Sequence, residues 1–137
     1  MDGFSEEGLT LAVHEPTSPT GDGAMYQVIW TGRSTSRDPA RLLLPWFQPL
    51  LQKAKAAHAR VELHFEALEH FNSSTIAALI QLINEARTQA VPFVIHYDGS
   101  LRWQAASFQG LQRAMQPFDG KNVSKVDFIP HGAAAPR

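Results

Sequence analysis

Three hydroxyl side chains follow one another at Ser73, Ser74 and Thr75, directly after Asn72 and directly before the apolar run that begins at Ile76. Such a cluster suits two kinds of chemistry. Asn, Ser and Thr side-chain oxygens cap the free amides at the start of a helix. The same amides, together with the positive end of the helix dipole, also hold anions, so a hydroxyl here is well placed to carry a phosphoryl group. From these four residues alone capping is a sufficient account, and both readings stand at this point.

Six histidines raise a metal reading. His64 and His96 are expected to be neighbours on one face of a sheet, with Glu62 and Glu66 nearby. There is no compact ligand motif such as His-Glu-x-x-His and no cysteine, so a solvated polar face is expected, with no metal and no cofactor. Nucleophilic catalysis by Ser73 has less support. No Gly-x-Ser-x-Gly elbow surrounds it, no acid–His pair lies at useful spacing, and no Gly-rich phosphate loop is present. Glu66, Glu69 and His70 read as polar loop residues at a strand end. No catalytic residue is assigned, and the chain is not expected to be an enzyme.

The elements that must position these groups follow from periodicity. Leu9, Leu11 and Val13 alternate with polar or small residues, as do Tyr26, Val28 and Trp30, which predicts two hairpin-paired strands around a turn at Pro16 to Gly23. Thr31 to Pro39 reads as a polar loop, with Asp38-Pro39 opening a helix. Pro45 and Pro49 interrupt that helix, so a kinked or two-part element is expected, regular from about Trp46 to His58. Val61, Leu63 and Phe65 alternate with Glu62, His64 and Glu66; a strand with one polar side cannot be covered by helices on both faces. Ile76, Leu79, Ile80, Ile83 and Ala86 make the apolar stripe of the clearest helix in the chain. Phe93, Ile95 and Tyr97 predict a further strand, and Leu101 to Met115 a third helix ended by Pro117 and Gly120, with Ala105, Phe108, Leu111 and Met115 inward. Trp103 stands off that stripe, as an exposed anchor for a partner would. Val126, Phe128 and Ile129 add a short edge strand, and the tail from His131 is expected to be mobile.

Composition bounds the function. A chain of 137 residues with 44% hydrophobic residues suits one ordinary domain. Twelve basic against thirteen acidic residues leave a formal charge of -1, without the basic excess of a nucleic-acid binder. No apolar run is long enough for a membrane-spanning helix, and the acidic start Met1 to Glu7 lacks the features of a secretory signal. The absence of cysteine is compatible with a reducing compartment. A cytoplasmic location, no direct membrane insertion and no nucleic-acid partner are expected.

The strand Val61 to Phe65, the loop Phe71 to Thr75 and the helix from Ile76 to Ile83, in that order, resemble the STAS domain, the fold shared by sulfate transporters and anti-sigma factor antagonists. The resemblance implies an α/β fold with a mixed sheet of four to five strands and helices mainly on one face. It spans residues 9–129, with 1–8 a flexible N-terminus and 130–137 a flexible C-terminal tail. In antagonists of this family, the hydroxyl residue after the Asp of an Asp-Ser-Ser-Gly motif is phosphorylated. By position that residue is Ser73, with Ser74 and Thr75 as alternatives. Asn72 stands where Asp is usual and Thr75 where Gly is usual. Those departures, together with Gly32 to Ser34, Pro45 and Pro49, are more similar to small bacterial regulatory phosphoproteins of the SiaC type.

The resemblance implies a partner-switching role. The partners would be a kinase of the histidine-kinase-like ATPase type, a phosphatase and a downstream effector enzyme. The partner surface would comprise Asn72, Ser73, Ser74, Thr75 and Ile76, the outer helix residues Gln81, Asn84 and Glu85, and Trp103. Two other roles fit the same fold: a constitutive accessory subunit of a membrane lipid ABC transporter, and a small-ligand sensor with a pocket near Trp103.

Overall fold

In the computed structural model, residues 2–16, 24–115 and 126–132 are described. Strands β1 (Phe4–Glu6) and β2 (Leu9–His14) pair antiparallel through Glu7 and Gly8, whose φ values of 52° and 88° give the left-handed two-residue turn that matches strand twist. β2 pairs antiparallel with β3 (Met25–Ser34), and Leu11 faces Trp30 across the ladder. β3 is long enough to serve two parallel partners. Its first half pairs with β4 (Arg60–His64) and its end with β5 (Leu68–Phe71), with a register shift between Gly32 and Arg33. Gly32 is required there: its φ is 87°, and a Cβ would lie 2.1 Å from the Gly8 carbonyl oxygen.

The remaining elements are α1 (Pro39–Ala57), α2 (Ser73–Thr88), β6 (Phe93–Asp98), α3 (Arg102–Met115) and β7 (Val126–His131). The sheet runs β1-β2-β3-β4-β6-β7, with β5 beside β3. β4, β6 and β7 are parallel to one another. Tyr26, Val28, Trp30, Val61, Leu63, Phe93, Ile95 and Tyr97 turn one face toward the helices, where Phe47, Leu50, Leu79, Ile83 and Phe108 complete one core. The aromatic packing centres on Phe65, whose ring is tilted against Trp30 at 4.6 Å and against Phe108 at 4.9 Å. None of the described helices is long and apolar enough to cross a membrane.

Several expectations need correction. The sheet has seven strands among the described residues, not four to five. Residues 1–8 include β1, whose Phe4 packs against the core and against Trp46 at 6.2 Å. β7 extends through Pro130 and His131, into the segment expected as a tail. The turn before β3, the Pro117 and Gly120 stop and the last five residues lie largely or wholly outside the described residues. α1 is one continuous helix. Pro45 and Pro49 are both solvent-facing, one turn apart, so the carbonyls they leave without amide partners point to water and the helix is not broken.

Candidate functional site

Asn72 ends the β5 connection in an extended conformation (φ −97°, ψ 176°) and caps α2, its Oδ1 accepting from the Thr75 amide at 2.9 Å. This is ordinary N-capping. It is reinforced from outside the helix. The Asn72 amide donates to the Ser34 carbonyl at 3.1 Å, and its Nδ2 donates to the Ser36 carbonyl at 3.0 Å. The second bond accounts for Asn rather than Asp here, because a carboxylate would face that carbonyl with no proton to give.

Thr75 turns inward. It is fully buried, with Oγ1 2.7 Å from Ser34 Oγ and 2.8 Å from Asn72 Oδ1. Asn72 Oδ1 only accepts, so Thr75 donates to it and Ser34 donates to Thr75. The bulk that Thr75 adds where Gly is usual therefore fills the β3–α2 junction and leaves the surface unchanged. Its hydroxyl is enclosed and unreachable as an acceptor of a phosphoryl group. Ser73 is exposed and Ser74 half-buried, and their amides make no hydrogen bond among the described residues.

The other expected contact residues divide. Gln81 and Asn84 are exposed and lie along α2 on the same side as Ser73 and Ala77. Ile76 is half-buried against the core. Glu85 accepts from Gln89 Nε2, which also donates to Gln48 of α1, so it belongs to the α1–α2 seam. Trp103 is off the buried stripe of α3 but not free: its ring meets Phe71 edge-on at 5.2 Å and lies 6.3 Å from His70. It thereby braces the residue that precedes the Asn72 cap.

Sequence reasoning missed Gln104, placing Ala105 inward instead. Gln104 is fully buried; its Nε2 donates to the carbonyls of Phe65 (2.7 Å) and Leu68 (3.1 Å), and its Oε1 accepts from the Asp98 amide at 2.7 Å. One amide thus ties together the ends of β4, β5 and β6. The available signal was spacing: Gln104 stands at i, with Phe108, Leu111 and Met115 at i+4, i+7 and i+11 on the same helix face.

The open face of the sheet carries the second polar cluster. His64 and His96 are neighbours, as expected, stacked with ring centroids 4.1 Å apart and planes at 7°. Glu62 is 7% exposed; its Oε2 accepts from Arg60 Nε at 2.6 Å and its Oε1 lies 2.9 Å from His96 Nε2. Burial pushes the Glu62 carboxyl up, but the bonds from Arg60 and His96 outweigh it and hold the group below the ordinary glutamate range. His96 moves down from the ordinary histidine value, through burial first and the neighbouring His64 second. His131 joins from β7, with Nε2 2.7 Å from His96 Nδ1 and 3.8 Å from Glu66 Oε2. His64 Nδ1 lies 3.4 Å from Glu66 Oε1. His131 escaped notice because it sits at the end of a strand whose open-face side is exposed.

No protein-family model matches the chain, and no curated protein matches it. Among solved structures, the chain is similar to an uncharacterised DUF3478-family protein with a SpoIIAA-like fold from Shewanella loihica PV-4. Identity is 14%, the TM-score is 0.54, and the match covers 94% of this chain and 93% of that one. The fold is therefore SpoIIAA-like, that is, of the STAS type.

Proposed function

We propose that this chain is a phosphorylation-controlled protein-binding regulator, a SiaC-type member of a bacterial partner-switching pathway in the cytoplasm, with Ser73 as the acceptor. Unphosphorylated, it binds a kinase of the histidine-kinase-like ATPase type or an effector enzyme; phosphorylated, it releases that partner, and a phosphatase restores it. The observation that carries the reading is the division of labour at the start of α2. Asn72 and Thr75 are consumed in holding the turn, while Ser73 stands exposed beside two amides that have no partner among the described residues.

The physics follows from that arrangement. A phosphate on Ser73 meets the free amides and the positive end of α2, so the domain keeps its fold in the modified state. The same phosphate adds about two negative charges to the surface formed by Ser73, Ala77, Gln81 and Asn84, and opposes docking there. Ser74 is the second choice of acceptor, being half-buried. No catalytic base is needed on this chain, because kinase and phosphatase supply the chemistry.

The test is to incubate the chain with histidine-kinase-like ATPases and ATP, then compare partner binding before and after modification. Binding should weaken by about a hundredfold on phosphorylation, equivalent to about 2.7 kcal/mol, and Ser73→Asp should reproduce much of that loss. Equal binding by the Ser73→Asp and wild-type chains, with no kinase able to modify the turn, would remove the reading. A constitutive accessory subunit would behave in that way.

A further inference from the structure

We infer that Glu66, His96 and His131 form a binding site for a zinc-class divalent metal ion on the open face of the sheet, with Glu62 and Arg60 as its positioning partners. The three ligand atoms lie within 4.8 Å of one another, with Glu66 just past β4, His96 within β6 and His131 at the end of β7, three adjacent parallel strands. Two imidazole nitrogens and one carboxylate are a donor set that Zn²⁺ takes with three protein ligands and one open position. The exposed side of His131 and the half-exposed Glu66 give an ion a way in, with side-chain exposures of 45% and 35%.

The surrounding groups already hold the ligands as a metal requires. A ligating histidine usually gives its other ring N–H to a carboxylate, which fixes tautomer and orientation. His96 does this: Nε2–H donates to Glu62 Oε1 at 2.9 Å, leaving the Nδ1 lone pair aimed at His131. Glu62 is fixed in turn by Arg60 at 2.6 Å on its other oxygen. Glu66 is held more loosely, with Oε1 3.4 Å from His64 Nδ1 and Oε2 3.8 Å from His131 Nε2.

One adjustment is needed. His131 Nε2–H now donates to His96 Nδ1 at 2.7 Å, and bonds of about 2.0–2.1 Å to a tetrahedral ion place two ligand nitrogens about 3.3 Å apart. The exposed His131 ring swings outward by a few tenths of an ångström. Its proton passes to Nδ1 through solvent, and the ring stays neutral. A second grouping, Glu62 with His64 and His96, also brings its ligand atoms together. It would set the cation against the carboxylate that Arg60 already occupies, so the assignment goes to the outer set.

The inference does not depend on phosphorylation, and Ser73→Ala should bind the ion as the wild-type chain does. The experiment is calorimetric titration of the EDTA-stripped, desalted full chain with Zn²⁺, joined to imidazole nitrogen NMR. One saturable equivalent is expected, with shifts at His96 Nδ1 and His131 Nε2. His131→Ala and Glu66→Gln should each weaken binding at least about tenfold, and Glu62→Gln by about 10- to 100-fold while the His131 signal still moves. His14→Ala and His70→Ala, outside the cluster, should bind as wild type. The inference is overturned by no saturable binding, by binding that survives both His131→Ala and Glu66→Gln undiminished, by loss of binding in either control, or by shifts confined to the Nε2 atoms of His64 and His96.

Discussion

At the start of α2, hydrogen bonds run one way, from Ser34 through Thr75 to Asn72 Oδ1, and the Asn72 amide group closes the turn on the Ser36 carbonyl. On the open sheet face, Glu62, His64, Glu66, His131 and His96 instead form a ring of neighbours, hydrogen-bonded at His96 to Glu62 and His131 and otherwise 3.4 to 3.8 Å apart. The first arrangement contains no group that titrates near neutrality. Its hydrogen bonds are the same at any ordinary pH, and under the proposed function its input is a charge attached to the exposed Ser73. The second is made of imidazoles and carboxylates, and the buried His64 Nε2 has no hydrogen-bond partner there. That region responds to protons and cations with no covalent change. Two polar surfaces on one fold are thus suited to different inputs.

The largest effect should come from the buried amide that ties the strand ends beside both regions. Gln104→Leu takes the side-chain partner from the Asp98 amide and the Leu68 carbonyl, while the Phe65 carbonyl keeps the Leu68 amide at 2.9 Å. At about 1–3 kcal/mol for each of these two groups, urea denaturation should show a loss of roughly 2 kcal/mol or more. A loss under about 1 kcal/mol would mean that the strand ends are held by something else.

Thr75→Val comes next. It keeps the volume but removes the middle of the Ser34–Asn72 chain, and should cost about 1–3 kcal/mol in the same assay. Asn72→Asp should also destabilise, by about 1 kcal/mol, even though a charge at a helix start is ordinarily favourable, because the carboxylate meets the Ser36 carbonyl. A stabilised Asn72→Asp would contradict this account of why Asn occupies the cap.

Acidification should act on the sheet face and spare the turn. The folded-state pKa of His96 is depressed, so the unfolded chain takes up the proton first. The stability contribution is full above about pH 6.5, the ordinary histidine value, and is lost as pH falls through the lower folded value. Glu62, also depressed, adds a second loss that begins below the ordinary glutamate range. Urea midpoints between pH 8 and pH 5 should therefore fall first through His96, and His96→Asn should flatten that step. The smallest effect belongs to Ser73→Ala. Its hydroxyl supports nothing in the fold, so stability should stay within about 0.5 kcal/mol of wild type.

Much of the architecture was legible because its apolar periods are long. The alternation through Trp30 and Leu63 and the stripe from Leu79 to Ala86 survive any local perturbation. Misreadings arose where period or context fails. In β5, the buried residues Leu68 and Phe71 are three apart, which is not a strand period, so the segment read as loop. The two prolines of α1 read as breaks because sequence does not say which face of the helix they occupy. Asn72 and Ser73 were recognisable as a cap and a hydroxyl, but the inward turn of Thr75 depends on Ser34, forty-one residues away. His131 became part of a cluster only through the register of β6 against β7.

Under the proposed function Ser73 is the acceptor and Thr75 is not. It is tested most directly by phosphorylating the folded chain with a kinase of the histidine-kinase-like ATPase type and locating the phosphate by tandem mass spectrometry. The account predicts a single phosphate on Ser73 and none on the Ser73→Ala chain. Modification of Thr75 in the folded protein, or full modification of the Ser73→Ala chain at another residue, would contradict it.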